Sequence, residues 1–138
     1  MTPTQPTSIL IEAEGVLFHG GQALTGELAG LPSRKVFHSA AWLRHSRGGT
    51  TQRQAFETIG AALDVSAAAV ADAVTAHTHS RRSPPGLPAM LEALTSRGRR
   101  LYCVALMPTA YLELARERMP GFVHSNRQRL FTGSAGAW

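Results

Sequence analysis

The sequence has little of several features, and each shortage narrows the class of protein. Cys103 is the single cysteine, which rules out an internal disulfide and agrees with a reducing cytosol. No window approaches the roughly 18 apolar residues that a membrane-spanning helix needs. Residues 1–7 also lack the basic and then apolar pattern of a secretory signal. We therefore expect a cytoplasmic protein without a membrane partner.

Aromatic residues and lysine are also scarce. Aromatic residues make up 7% of the chain, and Lys35 is the only lysine. The formal charge of +5, from 14 Lys+Arg against 9 Asp+Glu, therefore rests on arginine. These arginines are scattered and are not interleaved with the aromatic side chains on which bases stack. Direct nucleic-acid binding is therefore not favoured as the function.

The chain has 138 residues, a length that suits one domain. Along it, continuous apolar stretches alternate with segments in which apolar residues recur at helical spacing. Residues 8–13 and 101–106 are nearly continuous apolar runs, which predicts strands buried on both faces. Helical spacing predicts four helices between them, around residues 32–45, after Thr50 or Thr51, from Ser66 toward His77, and from Leu87 to Gly98. A fifth helix is predicted around Tyr111 and Leu112, before short apolar pieces at 122–123 and 130–131. Strands separated by helices predict an α/β fold with a parallel sheet.

Two carboxylates stand at the end of the first predicted strand. Successive strand side chains point to opposite faces, so Glu12 and Glu14 share one face and Ala13 lies on the other. The carboxyl ends of parallel strands border the crevice where open α/β sheets bind ligands. The pair is therefore a candidate for acid/base chemistry. The alternative is that both carboxylates are simply hydrated or paired with arginines.

The order of these segments resembles that of the haloacid dehalogenase-like hydrolases. Ile9 to Phe18 resembles their first motif, a strand ending in Asp-x-Asp-Gly. Residues 32–80 resemble the small helical cap of that superfamily, and Leu101 to Pro108 is similar to the second core strand and motif. Leu130 to Gly136 resembles the segment ahead of the third motif. The resemblance implies a shortened Rossmann-like core with a three-stranded parallel sheet, formed by residues 1–30 and 82–138. Residues 31–81 would be an inserted helical cap.

The motif positions depart from the family pattern. Glu12 stands in the place of the nucleophilic aspartate and Glu14 in that of the acid. Their extra methylene moves each carboxylate by about 1.5 Å, and a misplacement near 1 Å can cost about a hundredfold in rate. Ala105 and Leu106 replace the phosphate-binding hydroxyl and the amide after it. The sequence ends at Trp138, before the family's lysine and magnesium-binding acids. We therefore expect neither phosphatase activity nor dehalogenase activity, and no metal or cofactor.

The resemblance also proposes a site under the cap. Glu12 and Glu14 would transfer protons with help from His19, while Phe37 and Trp42 would form an apolar wall, although aromatic residues at helical spacing more often serve the core. The expected substrate-binding residues are Phe37, Trp42, Arg47, Ala105 and Leu106. The remaining histidines, including His77, are expected at the surface or the edge of the core, and Arg81 and Arg82 in solvent.

Two functions remain open at this point. One is a metal-free acid/base enzyme, such as a cyclase, isomerase or lyase of specialised metabolism, that acts on an apolar small molecule. The other is a catalytically inactive dimeric binding or scaffold protein. Because the first strand would lack the neighbours that it has in family members, we expect a homodimer to cover that sheet edge.

Overall fold

The computed structural model describes residues 8–105, Pro108, Glu117 and the backbone of residues 130–131. The helix predicted around Tyr111 and the apolar pair at 122–123 lie outside these residues. The strands are β1 (Ser8–Glu12), β2 (Arg100–Ala105) and β3 (Leu130–Phe131). The helices are α1 (Arg34–Phe37), α2 (Ala40–Ser46), α3 (Gln52–Leu63), α4 (Ala67–His79) and α5 (Leu87–Ser96), and a 3-10 turn covers Gly26–Leu28.

The described strands form one parallel sheet in the order β1-β2-β3. β1 pairs with β2 from Ser8 beside Arg100 to Glu12 beside Val104. β2 pairs in turn with the two residues of β3. Parallel neighbours need a long crossover, and here that connection carries the five α-helices of the described residues. The predicted α/β class with a parallel sheet is confirmed.

The prediction that β1 and β2 are buried on both faces is wrong for the described chain. Exposure alternates along both strands, so that Ile11 is 8% exposed while its neighbour Leu10 is 68% exposed. The cause is that helix α5 packs against one face of the sheet and no described element covers the other. The covered face forms a core of Ile11, Ala13, Leu17, Phe18, Leu87, Leu91, Leu101, Cys103 and Ala105.

A second hydrophobic core lies among the helices that are inserted between β1 and β2. Its buried members are Leu24, Leu28, Val36, Trp42, Phe56, Ile59, Val70, Ala73 and Val74. Leu24 and Leu28 belong to this helical core, although the resemblance assigned residues 1–30 to the sheet unit. The described residues therefore form two separate buried clusters, one against the sheet and one among the inserted helices, which are called the sheet unit and the helical unit below.

Side-chain caps determine where the inserted helices begin. Thr51 forms a complete capping box with Gln54 at the start of α3, and the Ser66 hydroxyl accepts from the Ala69 amide at the start of α4. Both starts agree with the sequence prediction. The single helix predicted over 32–45 is instead the pair α1 and α2. It is broken because the Ser39 hydroxyl caps α2, accepting from the Trp42 amide at 3.1 Å.

Of the described helices, none is by itself long and apolar enough to cross a membrane. Helices α3 and α4 together have sufficient length and apolar composition, but they bend by 106° at the break between them. Each also contributes side chains to the helical core, among them Ile59 and Val70.

Candidate functional site

A cleft of about 470 Å³ lies where the end of β1 meets the helical unit. Three parts of the chain line it: the end of β1 with the loop that follows, the α1–α2 segment, and the end of α4. The described lining residues are Glu12, Glu14, Gly20, Gly21, Ser33, Phe37, His38, Trp42, Leu43, His77, Thr78 and Arg81. Its volume is within the range of pockets that hold one small molecule.

A tight turn after β1 places the two glutamates at this cleft. The Leu17 amide donates to the Glu12 carbonyl and the Phe18 amide to the Ala13 carbonyl, at 3.3 and 3.0 Å. The Leu17 and Phe18 side chains are buried in the sheet core and hold the turn in place. Ala13 is also buried there, whereas Glu12 and Glu14 are exposed and both line the cleft. This arrangement is the one that the spacing of the acids predicts.

Glu14 is held by an arginine from the other end of the insertion. Arg81 Nη1 donates to Glu14 Oε2 at 2.7 Å, and Arg81 Nη2 contacts Glu14 Oε1. Arg81 Nε also donates to the Gly20 carbonyl at 3.3 Å. The Glu14 side chain is 43% exposed and that of Arg81 is 18% exposed. Both carboxylate oxygens of Glu14 are therefore engaged, and its charge is offset within the cleft.

Glu12 differs from Glu14 in this respect. Among the residues that the structure describes, no side chain forms an ion pair or a hydrogen bond with its carboxylate. The side chain lines the cleft while its backbone is paired with Val104 of β2. Its carboxylate is therefore the negative charge that the described lining leaves available to a ligand.

Phe37 and Trp42 form an aromatic wall of the cleft. Their rings meet edge to face, with centroids 5.0 Å apart and planes at 88°, a geometry that aromatic pairs favour. The Ser39 cap sets the start of α2 and thereby the position of Trp42. Trp42 is also buried in the helical core. The two aromatic residues therefore serve both as core packing and as cleft lining.

His77 is a cleft residue that the sequence reasoning missed. Its ring lies against Phe37, with centroids 4.7 Å apart. His77 Nδ1 is 2.7 Å from the Gln22 carbonyl, so Nδ1 must carry a hydrogen and donate it. This leaves Nε2, which has no partner among the described residues, as the nitrogen that can exchange a proton with a ligand.

A periodicity signal could have found His77. Val70, Ala73 and Val74 form the buried face of α4, and a helical repeat carries that face forward to His77. The residue therefore lies on the inner side of the last helical turn. The buried Thr78 also lines the cleft, as does Arg81, which follows the end of α4.

Gly21 accounts for the closeness of the loop to this histidine. A Cβ built on Gly21 would lie 2.5 Å from His77 Cε1 and 2.6 Å from Nε2. The residue also has a φ of 129°, which L side chains rarely adopt. Glycine is therefore required here for two independent reasons.

The other proposed site residues lie elsewhere. His19 is exposed and does not line the cleft, since its backbone forms a bridge with Arg82 through hydrogen bonds of 2.8 and 3.1 Å. Arg47 is an exposed residue at the end of α2, and Ala105 is buried in the sheet core; neither lines the cleft. Leu106 is outside the described residues. Within the described part of the chain, no group of three or more His, Cys, Asp or Glu side chains could hold a metal ion.

No family model matches this sequence, and no curated protein matches it.

Proposed function

We propose that this protein is a haloacid dehalogenase-like domain without phosphatase chemistry, and that it transfers protons on a small molecule bound beneath its helical cap. The order β1-β2-β3 of a parallel sheet, with helices inserted after β1, supports the resemblance. Glu12, Glu14 and Ala105 at the motif positions, with Glu14 bound to Arg81, argue against phosphoryl transfer. The reaction would be an isomerisation, cyclisation or elimination.

One observation carries this proposal. Glu12 and His77 line the same cleft, and neither the Glu12 carboxylate nor His77 Nε2 has a partner among the described residues. They are two groups of the kind that general acid/base catalysis requires. One would take a proton from the ligand while the other returns one at a second atom. No change of oxidation state is needed, and an isomerisation or cyclisation leaves the mass of the ligand unchanged.

The remaining cleft residues would bind and position the ligand. Phe37, Trp42 and Leu43 supply apolar surface for its body. Arg81 orients Glu14 and offsets its charge, so that the free carboxylate is Glu12. Gln22 fixes His77 through Nδ1 and thereby determines which nitrogen faces the reaction. His77 takes the role that the sequence assigned to His19.

Deuterium incorporation provides the test. The protein is incubated in D₂O with a small-molecule extract of its source organism, and mass spectrometry follows every compound whose mass or retention changes. We expect one compound to gain deuterium or to convert to an isomer. Glu12→Gln should abolish this change. Glu92→Gln, an exposed glutamate of α5 outside the cleft, should not.

Asparagine substitutions at His77 and at His19 separate proton transfer from structure. In His77→Asn the amide can still donate to the Gln22 carbonyl but lacks Nε2, so we expect a folded and inactive protein. His19→Asn should keep full activity because His19 does not line the cleft. Full activity in both Glu12→Gln and His77→Asn would refute the proposal.

A second function is favoured by the uncovered face of the sheet. Leu10 is 68% exposed and Val104 is 36% exposed, and both lie on that face. β1 is the outer strand of the described sheet, and outer strands with exposed apolar side chains favour pairing. The alternative is therefore a catalytically inactive scaffold that works as a homodimer, in which the second copy covers the β1 edge of the sheet and the exposed side chains beside it.

Sedimentation equilibrium of the wild type and of Leu10→Lys tests the dimer. The scaffold function predicts a wild-type dimer at micromolar concentration and a folded monomer for Leu10→Lys. A monomeric wild type would eliminate it. The matched control is Met90→Lys, which replaces another exposed apolar residue on α5 and should not change the mass.

A further inference from the structure

We propose that the ligand of the cleft is a small organic cation, a protonated amine attached to an apolar body. This inference rests on the proposed function, since it concerns the same cleft and names the class of compound that enters it. It is argued from the charge of the lining, the position of Arg81 and the chemistry of the apolar wall.

The formal charge of the described cleft lining is opposite in sign to that of the whole protein. The whole chain carries a formal +5, yet the described lining contains two carboxylates, Glu12 and Glu14, and a single guanidinium, that of Arg81. With His38 and His77 neutral, the lining has a formal charge of −1. A cleft with one sign of charge and low-dielectric walls concentrates ligands of the other sign.

The position of Arg81 argues against an anionic ligand. The guanidinium gives Nη1 and Nη2 to the Glu14 carboxylate and Nε to the Gly20 carbonyl. An anion that approached the guanidinium would compete with the Glu14 carboxylate for it, and it would also be repelled by the Glu12 carboxylate in the same cleft. A cation meets neither obstacle, because Glu12 has no cationic partner among the described residues.

The apolar wall suits a cation as well as an apolar group. Phe37 and Trp42 both line the cleft, and aromatic rings attract ammonium groups within about 6 Å, tryptophan most strongly. A carboxylate and two aromatic rings therefore offer an ammonium group both a charge partner and π-electron density. Leu43 adds apolar surface for the body that carries the charge.

Calorimetric titration with three probes of similar size tests the charge preference. The probes are phenethylamine, the neutral 2-phenylethanol and the anion 3-phenylpropionate, each used up to about 10 mM, where weak ligands of this size still register. We expect saturable binding of phenethylamine, about tenfold weaker binding of the alcohol, and none of the acid. High salt should weaken the binding of phenethylamine and leave the binding of the alcohol unchanged.

Variants assign the preference to Glu12. Glu12→Gln should lower the affinity for phenethylamine about tenfold and leave the affinity for 2-phenylethanol unchanged, because the substitution removes only the negative charge. Glu92→Gln on α5 should change neither. Three results would each overturn the inference. The first is that 3-phenylpropionate binds as tightly as phenethylamine or more tightly, and the second is that Glu12→Gln and the wild type bind the amine equally well. The third is that no probe binds.

The two proposals can fail separately. Deuterium exchange on a neutral or anionic compound, without amine binding, would leave the proton-transfer function in place and refute the ligand class. Amine binding that depends on Glu12, without exchange on any compound, would show a binding site and refute the catalytic function.

Discussion

Arg81 and Glu14 form a two-point ion pair that ties the chain just after α4 to the loop just after β1. The two residues are 67 positions apart in sequence, and they join the helical unit to the sheet unit beside the cleft. The pair is thus a long-range contact that orients one cleft carboxylate, while the other, Glu12, has no ion-pair partner among the described residues.

Arg81→Lys keeps the positive charge but removes the planar fork that holds both carboxylate oxygens. We expect the free energy of unfolding to fall by no more than about 1 kcal/mol, since Glu14 is 43% exposed and the pair is screened by water. Urea denaturation measures this change. The control is Arg53→Lys in the more exposed Arg53–Glu57 pair of α3, which should have no measurable effect. A loss above about 3 kcal/mol would contradict the estimate.

Gly21→Ala should displace His77 and destabilise the fold. The new Cβ would lie 2.5 Å from His77 Cε1, and the φ of 129° would be strained by about 1–3 kcal/mol. Gly20→Ala is the matched control, because Gly20 also has a positive φ but nothing lies within 4 Å of the added carbon. In urea denaturation, the free energy of unfolding of Gly21→Ala should therefore be lower than that of Gly20→Ala. Equal stability of the two variants would show that the loop does not press on His77.

Gly60→Ala tests packing against helix propensity. In an unrestrained helix, alanine would be better than glycine by about 1 kcal/mol. Here the added Cβ would lie 2.7 Å from the Val65 carbonyl oxygen, in the turn that leads to α4. We therefore expect a lower midpoint of thermal unfolding. Ala61→Gly, at an exposed position of the same helix, should also lower it, by the propensity alone. A higher midpoint of thermal unfolding for Gly60→Ala would mean that the turn can shift to accommodate the added Cβ at little energetic cost.

Magnesium and an aryl phosphate should give no hydrolysis above the rate in buffer. Ala105 has no hydroxyl to bind phosphate and is buried in the sheet core, and Arg81 occupies both oxygens of Glu14. Release of nitrophenolate from p-nitrophenyl phosphate gives a direct reading. Turnover that Glu12→Gln removes would refute the loss of phosphatase chemistry. Turnover that survives in Glu12→Gln would indicate a contaminating phosphatase.

Features set by neighbouring residues could be predicted from the sequence. The helix starts at Thr51 and Ser66 follow from the preference of hydroxyl side chains for amides two or three positions ahead. The exposure of Leu10 could not be predicted in this way. An apolar run in the sequence is compatible with a strand that helices cover on one face or on both faces. Only the tertiary arrangement determines which faces are buried.

The candidate site was predictable to a similar extent. The strand-end position of Glu12 and Glu14 predicts one wall, and the resemblance of residues 32–80 to a cap implies a second wall at Phe37 and Trp42. The structure brings both walls to one cleft. The contact of Glu14 with Arg81 depends on how a whole helical unit folds back onto β1. No local pattern carries that information.

The backbone bridge between His19 and Arg82 brings the two ends of the helical insertion side by side. An inserted unit whose ends are already joined can be shortened, exchanged or deleted without opening the sheet, because a brief turn could close the same gap. Under the proposed function, exchange of the helical unit alone would change which compound the cleft selects, while the sheet unit stayed as it is.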